Sequence, residues 1–333
     1  MSTSAIVMDD RAAPPEAGPR SFLRRLRHGD EVAHVLTLTL AAGILLLTSM
    51  LVYELWVNSH LSRAKFGWMF FWTRTWDPIF DNFGAAPFIY GTLVTSIVSL
   101  VIAVPLGLAA AIFLSELAPR KMSDTISFLI DLLAAVPSVI YGLLGIFIVV
   151  PVMRTTVGPI LIHTLGNVPG IGQFFKGPNY GVGFLTAGVV LAIMVVPFII
   201  SVSREVLLTV PREQREAALS LGATRWEATW KVVVPWARTG IFGSVFLALA
   251  RALGETMAVT MVIGNDPKIA ASLFAPGYTI AAVIANEFTE ATGDLYLSAL
   301  VELGLVLFLM TFILNGLARL LIVATERGGG HPS

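Results

Sequence analysis

Six apolar stretches of membrane length, at about residues 34–56, 88–114, 129–153, 183–203, 240–264 and 297–323, dominate this chain and interrupt themselves with few charges. A bilayer core needs about 20 apolar residues per helix. Inside it every backbone N–H and C=O must be satisfied, which continuous apolar runs achieve as helices. The residue-by-residue alternation of a membrane barrel is missing. The fold class read from this pattern is an all-α membrane protein with six transmembrane helices. Composition agrees, since 56% of residues are hydrophobic and 13% charged, against about 25% charged in a soluble domain.

The first apolar run, from near Val35 to Tyr53, is too long for the h-region of a signal peptide and has no small-residue cleavage site behind it. It reads as an uncleaved span preceded by a polar, disordered tail over residues 1–30. Residues 31–85 then hold the first span and an external aromatic segment. Residues 86–325 form the main transmembrane domain, with a cytoplasmic loop at 204–240, and 326–333 a short tail. Fifteen Lys and Arg residues fall on the side of the N-terminus and six on the other. The positive-inside rule therefore places both termini in the cytoplasm.

Several function classes lose their parts. Formal charge is zero, from 22 basic and 22 acidic residues, so no nucleic-acid partner is expected and membrane lipid is the surrounding medium. Cysteine is absent, which removes disulfides, thiolate metal sites and a Cys nucleophile. The histidines His28, His34, His60, His163 and His331 are scattered, no H-E-x-x-H occurs, and Asp131 near a span start has no second carboxylate. An intramembrane enzyme is disfavoured on those grounds.

The segments outside the spans carry some pattern. Phe66, Trp68, Phe70, Phe71, Trp72 and Trp76 suggest an external interfacial helix, because indole rings favour the headgroup level. The last external segment, Asn265 to Phe288, has a turn signal at Ala275-Pro276-Gly277-Tyr278 and either reaches a partner or caps the bundle. Pro105, Pro137 and Pro197 lie within the expected spans, where packed kinks are the ordinary explanation.

In the cytoplasmic loop, Pro211 suits the first position of a helix and Gly222 its left-handed close. Thr224-Arg225-Trp226-Glu227 has the capping-box form that opens a second helix, which Pro235 ends or kinks. Trp226 and Trp230 share a face of that helix at i and i+4.

Glu216-Ala217-Ala218, three residues, Gly222, nine residues, then Val232-Val233-Val234-Pro235 resembles the EAA loop of bacterial ABC importer permeases, with Val for the usual Ile and Leu. In that family the loop's short helix seats in a cleft on the ATP-hydrolysing subunit. The resemblance thus implies ATPase coupling through Glu216, Ala217, Ala218, Gly222 and Pro235. This sequence has no G-x-x-x-x-G-K-[ST] phosphate loop, so ATP and Mg are expected on a separate subunit and no cofactor on this one. Five further segments are similar to the permeases of the phosphate importer, of the PstC rather than the PstA type. They are Trp76-Asp77-Pro78, residues 87–92, Phe113-Leu114-Ser115-Glu116, residues 251–258 (R-A-L-G-E-T-M-A) and residues 272–277. The core implied is that of type I (MetI-like) importer permeases in a bacterial cytoplasmic membrane. The partners implied are a PstA-like second permease, a PstB-like ATPase dimer and an extracytoplasmic PstS-like phosphate-binding protein. A permease for molybdate or sulfate, or a stand-alone channel or secondary transporter, is the competing reading.

Arg251 is the basic residue left inside a span. A cation there costs about 2.5–3.5 kcal/mol on insertion scales, which makes it a functional candidate with a partner to name. Glu255, at i+4, is the expected partner on the same helix face. Guanidinium also matches phosphate oxygens with forked donors. The pair is therefore either a structural staple or part of a translocation path in which phosphate displaces the carboxylate; the resemblance implies the second.

Overall fold

The computed structural model describes residues 30–328, so the expected tail at 1–30, Asp30 apart, lies outside the described residues, while of the expected tail at 326–333 residues 326–328 instead continue the last helix and 329–333 lie outside. Residues up to Glu54 form one unit and those from Leu55 onward a second. The described residues are helical, with isolated bridges in place of strands. α1 spans Asp30–Asn58 and α2 His60–Phe66. α3 covers Ala86–Leu117, α4 Arg120–Ala134, α5 Ser138–Thr164 and α6 Phe184–Leu208. α7 is Arg212–Ser220, α8 Arg225–Leu253, α9 Met257–Ile263, α10 Ile280–Glu287 and α11 Asp294–Gly328. Among the described residues, six helices are long and apolar enough to cross a membrane: α1, α3, α5, α6, α8 and α11.

Two spans differ from the sequence expectation. The third begins at Ser138 rather than 129, because Pro137 disfavours helical backbone at the residue before it. α4 consequently stops at Ala134, and its exposed Phe128, Leu129, Leu132 and Leu133 belong to a separate amphipathic helix. Pro137 is thus a boundary, whereas Pro105 and Pro197 do lie inside α3 and α6. The fifth span begins at Arg225 and ends at Leu253, instead of covering 240–264.

That second shift has a local cause. Pro235 does not end the loop's second helix; the chain takes a π-helical turn at Thr229–Val233 and continues. Pro151 and Pro159 in α5 follow π turns at Gly145–Val149 and Met153–Val157 in the same way. In each case the turn ends two residues before the proline. Widening the helix there relieves the clash of the pyrrolidine ring with the carbonyl four residues back.

α6 is the centre of the second unit. It packs most extensively on α3, and also on α8, α4 and α9. Its buried Val190, Leu191, Met194, Val195 and Ile199 anchor the largest apolar cluster. α6 and α8 cross at a buried hydrogen bond between Ser203 Oγ and Ser244 Oγ, 2.7 Å apart.

The aromatic segment before α3 is a folded cap, not a simple interfacial helix. Phe70, Phe83 and Phe88 are fully buried, and Trp76 meets Phe83 and Phe88 edge-on at 4.8 and 4.9 Å. The Trp76 indole donates to Glu287 Oε2 at 2.8 Å. Trp68 and Trp72 stay exposed. The segment from Asn265 to Phe288 caps the bundle. Leu273 and Ala275 carbonyls accept the amides of Leu185 and Phe184 at 2.8 and 3.2 Å, satisfying the first donors of α6. Gly277 lies so close to the Phe184 ring that an added Cβ would fall 2.1 Å from it. Burial pushes the neighbouring Tyr278 phenol up to about 12.

Candidate functional site

The loop between α6 and α8 folds as helix, turn, helix, as its pattern predicts. Pro211 sits one residue before the first helical position rather than on it. α7 closes in a Schellman arrangement: the Gly222 amide donates to the Leu219 carbonyl at 3.0 Å and the Ala223 amide to Ala218 at 3.2 Å. Gly222 has φ +86°. Both bonds of the capping box form, Glu227 N to Thr224 Oγ1 at 3.2 Å and Thr224 N to Glu227 Oε2 at 3.0 Å. Trp226 and Trp230 are exposed neighbours with ring centroids 5.5 Å apart.

This loop presents a surface. Glu216, Ala217, Leu219, Leu221 and Gly222 are all exposed, Leu221 by 90%. Ala217, Ala218, Leu221, Gly222, Glu227 and Lys231 line a cleft of about 510 Å³ between α7 and the start of α8. Pro235 is exposed further along α8, one turn beyond the cleft. No atom lies within 4 Å of where a Gly222 Cβ would stand, so the demand for glycine is conformational and not a matter of space. Gly222→Val is expected to cost roughly 1–3 kcal/mol through backbone strain. Gly222→Asn, tolerant of left-handed backbone, should be close to neutral. The thermal midpoints of the two variants measure the difference, and equal midpoints would refute the strained-turn account.

A feature that sequence reasoning missed holds the loop in place. Arg215 makes a two-pronged bond to Glu116 at the end of α3, Nη2 to Oε1 at 2.8 Å and Nε to Oε2 at 3.0 Å. It also donates to the carbonyls of Leu207, at 2.8 Å, and Val210, closing the C-terminus of α6. The two side chains are only 21% and 9% exposed. Nearby, Arg204 donates to Ser123 Oγ at 3.2 Å and approaches Asp124 at 3.5 Å. Asp131, considered above only as a lone carboxylate, accepts from Ser201 Oγ at 2.8 Å.

The intramembrane site differs from expectation in geometry. α8 ends at Leu253, with Gly254 at φ −92° and ψ 0°, so Arg251 and Glu255 do not share a helix face. Among the described residues no ion pair joins them. Glu255 instead accepts the Ala258 amide at 3.2 Å, in the first turn of α9. Arg251 is exposed in this chain, its guanidinium carbon 5.8 Å from the centroid of the Phe198 ring. The glycine within the R-A-L-G-E-T run was the available signal for that break. The arrangement leaves a spanning-helix cation available to an anion without first displacing a carboxylate.

With this geometry in view, the comparisons with known proteins are consistent. Residues 103–326 match the family described as binding-protein-dependent transport system inner membrane component. The phosphate transport system permease protein PstC of Mesorhizobium japonicum is 46% identical over 308 residues, covering 92% of this chain and 94% of that protein. The PstC protein of Haemophilus influenzae is 47% identical, covering 88% and 93%. The methionine transporter MetNI in an inward-facing conformation has a chain with TM-score 0.54, at 17% identity, covering 72% of this chain and 94% of that one. A bacterial alginate ABC transporter gives 0.55 at 14% identity, covering 89% and 94%. The chain belongs to the inner-membrane components of binding-protein-dependent transport systems and, within them, to the PstC permeases. It is a multi-pass membrane protein with the ABC importer permease fold.

Proposed function

We propose that this chain is the permease subunit through which an ATP-driven importer passes inorganic phosphate across a bacterial cytoplasmic membrane. The observation that carries the reading is Arg251: a cation in a spanning helix, without an ion-pair partner among the described residues, inside the segment shared with phosphate permeases. Guanidinium offers forked donors that match phosphate oxygens. Glu255 shapes the break that aims Arg251, and enters the path through that role. The exposed loop of Glu216, Ala217, Ala218 and Gly222, with Pro235 beyond it, seats on the ATPase. ATP and Mg bind there rather than here. The partners are a PstA-like permease, a PstB-like ATPase pair and a PstS-like phosphate-binding protein.

Uptake of radiolabelled phosphate by the reconstituted complex tests this. Saturable, ATP-dependent uptake that excess sulfate and molybdate leave unchanged is the expected result. Uptake of those oxyanions instead would favour the competing permease, and uptake without ATP a channel. Orientation has its own test, helped by the lack of native cysteine. Cysteine at the exposed Ser220 should react with an impermeant reagent only from the cytoplasmic side, and at the exposed Phe80 only from outside. The reverse pattern would invert the topology and remove the loop from the ATPase.

A further inference from the structure

The end of α1, α2 and the first turns of α11 enclose a groove of about 320 Å³ that transport does not use. Trp56, Arg63, Trp68 and Phe71 line one side of it, and Glu302, Leu305, Val306 and Leu309 the other. Ser298, one turn before Glu302 on α11, fixes the two sides together. Its hydroxyl accepts the Ser62 amide at 3.2 Å and donates to the Asn58 carbonyl at 2.9 Å.

A cation and a buried carboxyl share this groove without an ion pair between them. Glu302 is only 3% exposed, and its Oε2 has no hydrogen-bond partner. The Ser62 hydroxyl acts on this carboxyl as its hydrogen-bonding neighbour, yet Oε2 itself lacks a bond of good geometry, a costly state for a buried polar atom. Arg63 is half-buried. Its guanidinium lies 3.7 Å over the Trp56 ring, Nε donates to Ser59 Oγ at 2.9 Å, and Nη2 to the Trp56 carbonyl. Those bonds leave Nη1 for an acceptor. Arg63 acts electrostatically on Glu302, yet no ion pair joins the two among the described residues. Below them the wall is apolar, and Leu305 and Leu309 form an i, i+4 stripe down α11.

A ligand that satisfies all three features has an anion, a hydrogen-bonding cation and a hydrocarbon chain. We propose that the groove binds a zwitterionic phospholipid carrying a primary ammonium, of the phosphatidylethanolamine type. Its phosphodiester accepts from Arg63 Nη1, its ammonium donates to Glu302 Oε2, and an acyl chain lies along Leu305 and Leu309. The exposed indoles of Trp56 and Trp68 place the mouth of the groove at headgroup level. Free phosphate lacks any group for the apolar wall or for Glu302.

The test uses the assembled complex, stripped of lipid and transferred to nanodiscs of phosphatidylethanolamine, phosphatidylcholine or phosphatidylglycerol. Retained lipid is then counted by native mass spectrometry. Phosphatidylethanolamine should stay bound at one molecule per copy of this chain. Phosphatidylcholine, whose quaternary ammonium has no N–H, should bind about tenfold more weakly, the worth of one charge-assisted hydrogen bond. Glu302→Leu, which removes the orphan carboxyl, and Leu305→Trp, which fills the groove, should each release the lipid while the complex stays assembled. Equal retention of all three lipids, or undiminished phosphatidylethanolamine in both variants, would overturn the proposal. So would a cross-link from cysteine at Leu305 to the partner permease, since a protein helix would then cover the groove.

Discussion

Arg251→Gln is expected to reduce phosphate uptake by about 10²-fold, the scale set by losing one preorganised donor to an oxyanion, while the complex assembles at native levels. Assembly survives because Arg251 is exposed in this chain and has no ion-pair partner among the described residues, so its loss strands no buried carboxylate. Glu255→Gln should be milder, as an amide oxygen still accepts from the Ala258 amide that Glu255 now holds. The double variant should be as inactive as Arg251→Gln. Recovery of uptake in the double variant would restore the staple reading and remove Arg251 from the phosphate path. Uptake and co-purification of the partners are the two measurements needed.

Arg215→Met is expected to be the most destabilising single change around the loop between α6 and α8. Breaking one side of a buried pair costs about 3–5 kcal/mol. Here the change also orphans the Leu207 and Val210 carbonyls at the end of α6. α7 should detach from the end of α3, and the ATPase should no longer co-purify. Adding Glu116→Leu should recover much of the loss, because an apolar pair leaves no unpaired charge behind. A thermal midpoint for Arg215→Met equal to that of the native chain would remove the pair from any role in holding the loop.

The span count was legible because it follows from chain length and polarity alone, and the loop's caps because each depends on residues three or four apart. Thr224 with Glu227 is such a case, and so is Gly222. What the sequence hid were choices made at single residues or across the fold. Pro137 starts a span although it sits in an unbroken apolar run. Pro235 follows a π turn and leaves the helix continuous, which its usual behaviour as a breaker does not suggest. The tie from Arg215 to Glu116 joins residues 99 positions apart, beyond the reach of any local pattern. Glu255 was misplaced because helical spacing assumes a helix, and Gly254 ends it.

On the proposed function, the continuity of α8 would set the mechanics of coupling. Its 29 residues make a rod about 43 Å long, bound to α6 at the Ser203–Ser244 crossing. If that crossing is the pivot, about 27 Å of rod lies on the side of Trp226 and about 10 Å on the side of Arg251. The loop then works the long arm of a lever. A stroke of about 2 Å at the tryptophans would reach Arg251 as roughly 0.8 Å in the opposite direction. That is a small throw, yet it spans the difference between a hydrogen bond of about 2.9 Å and a separation too long to be one. On the proposed function, an ATPase seated on the loop would have leverage enough to make or release an anion's contact at Arg251 with α8 still helical between the two sites.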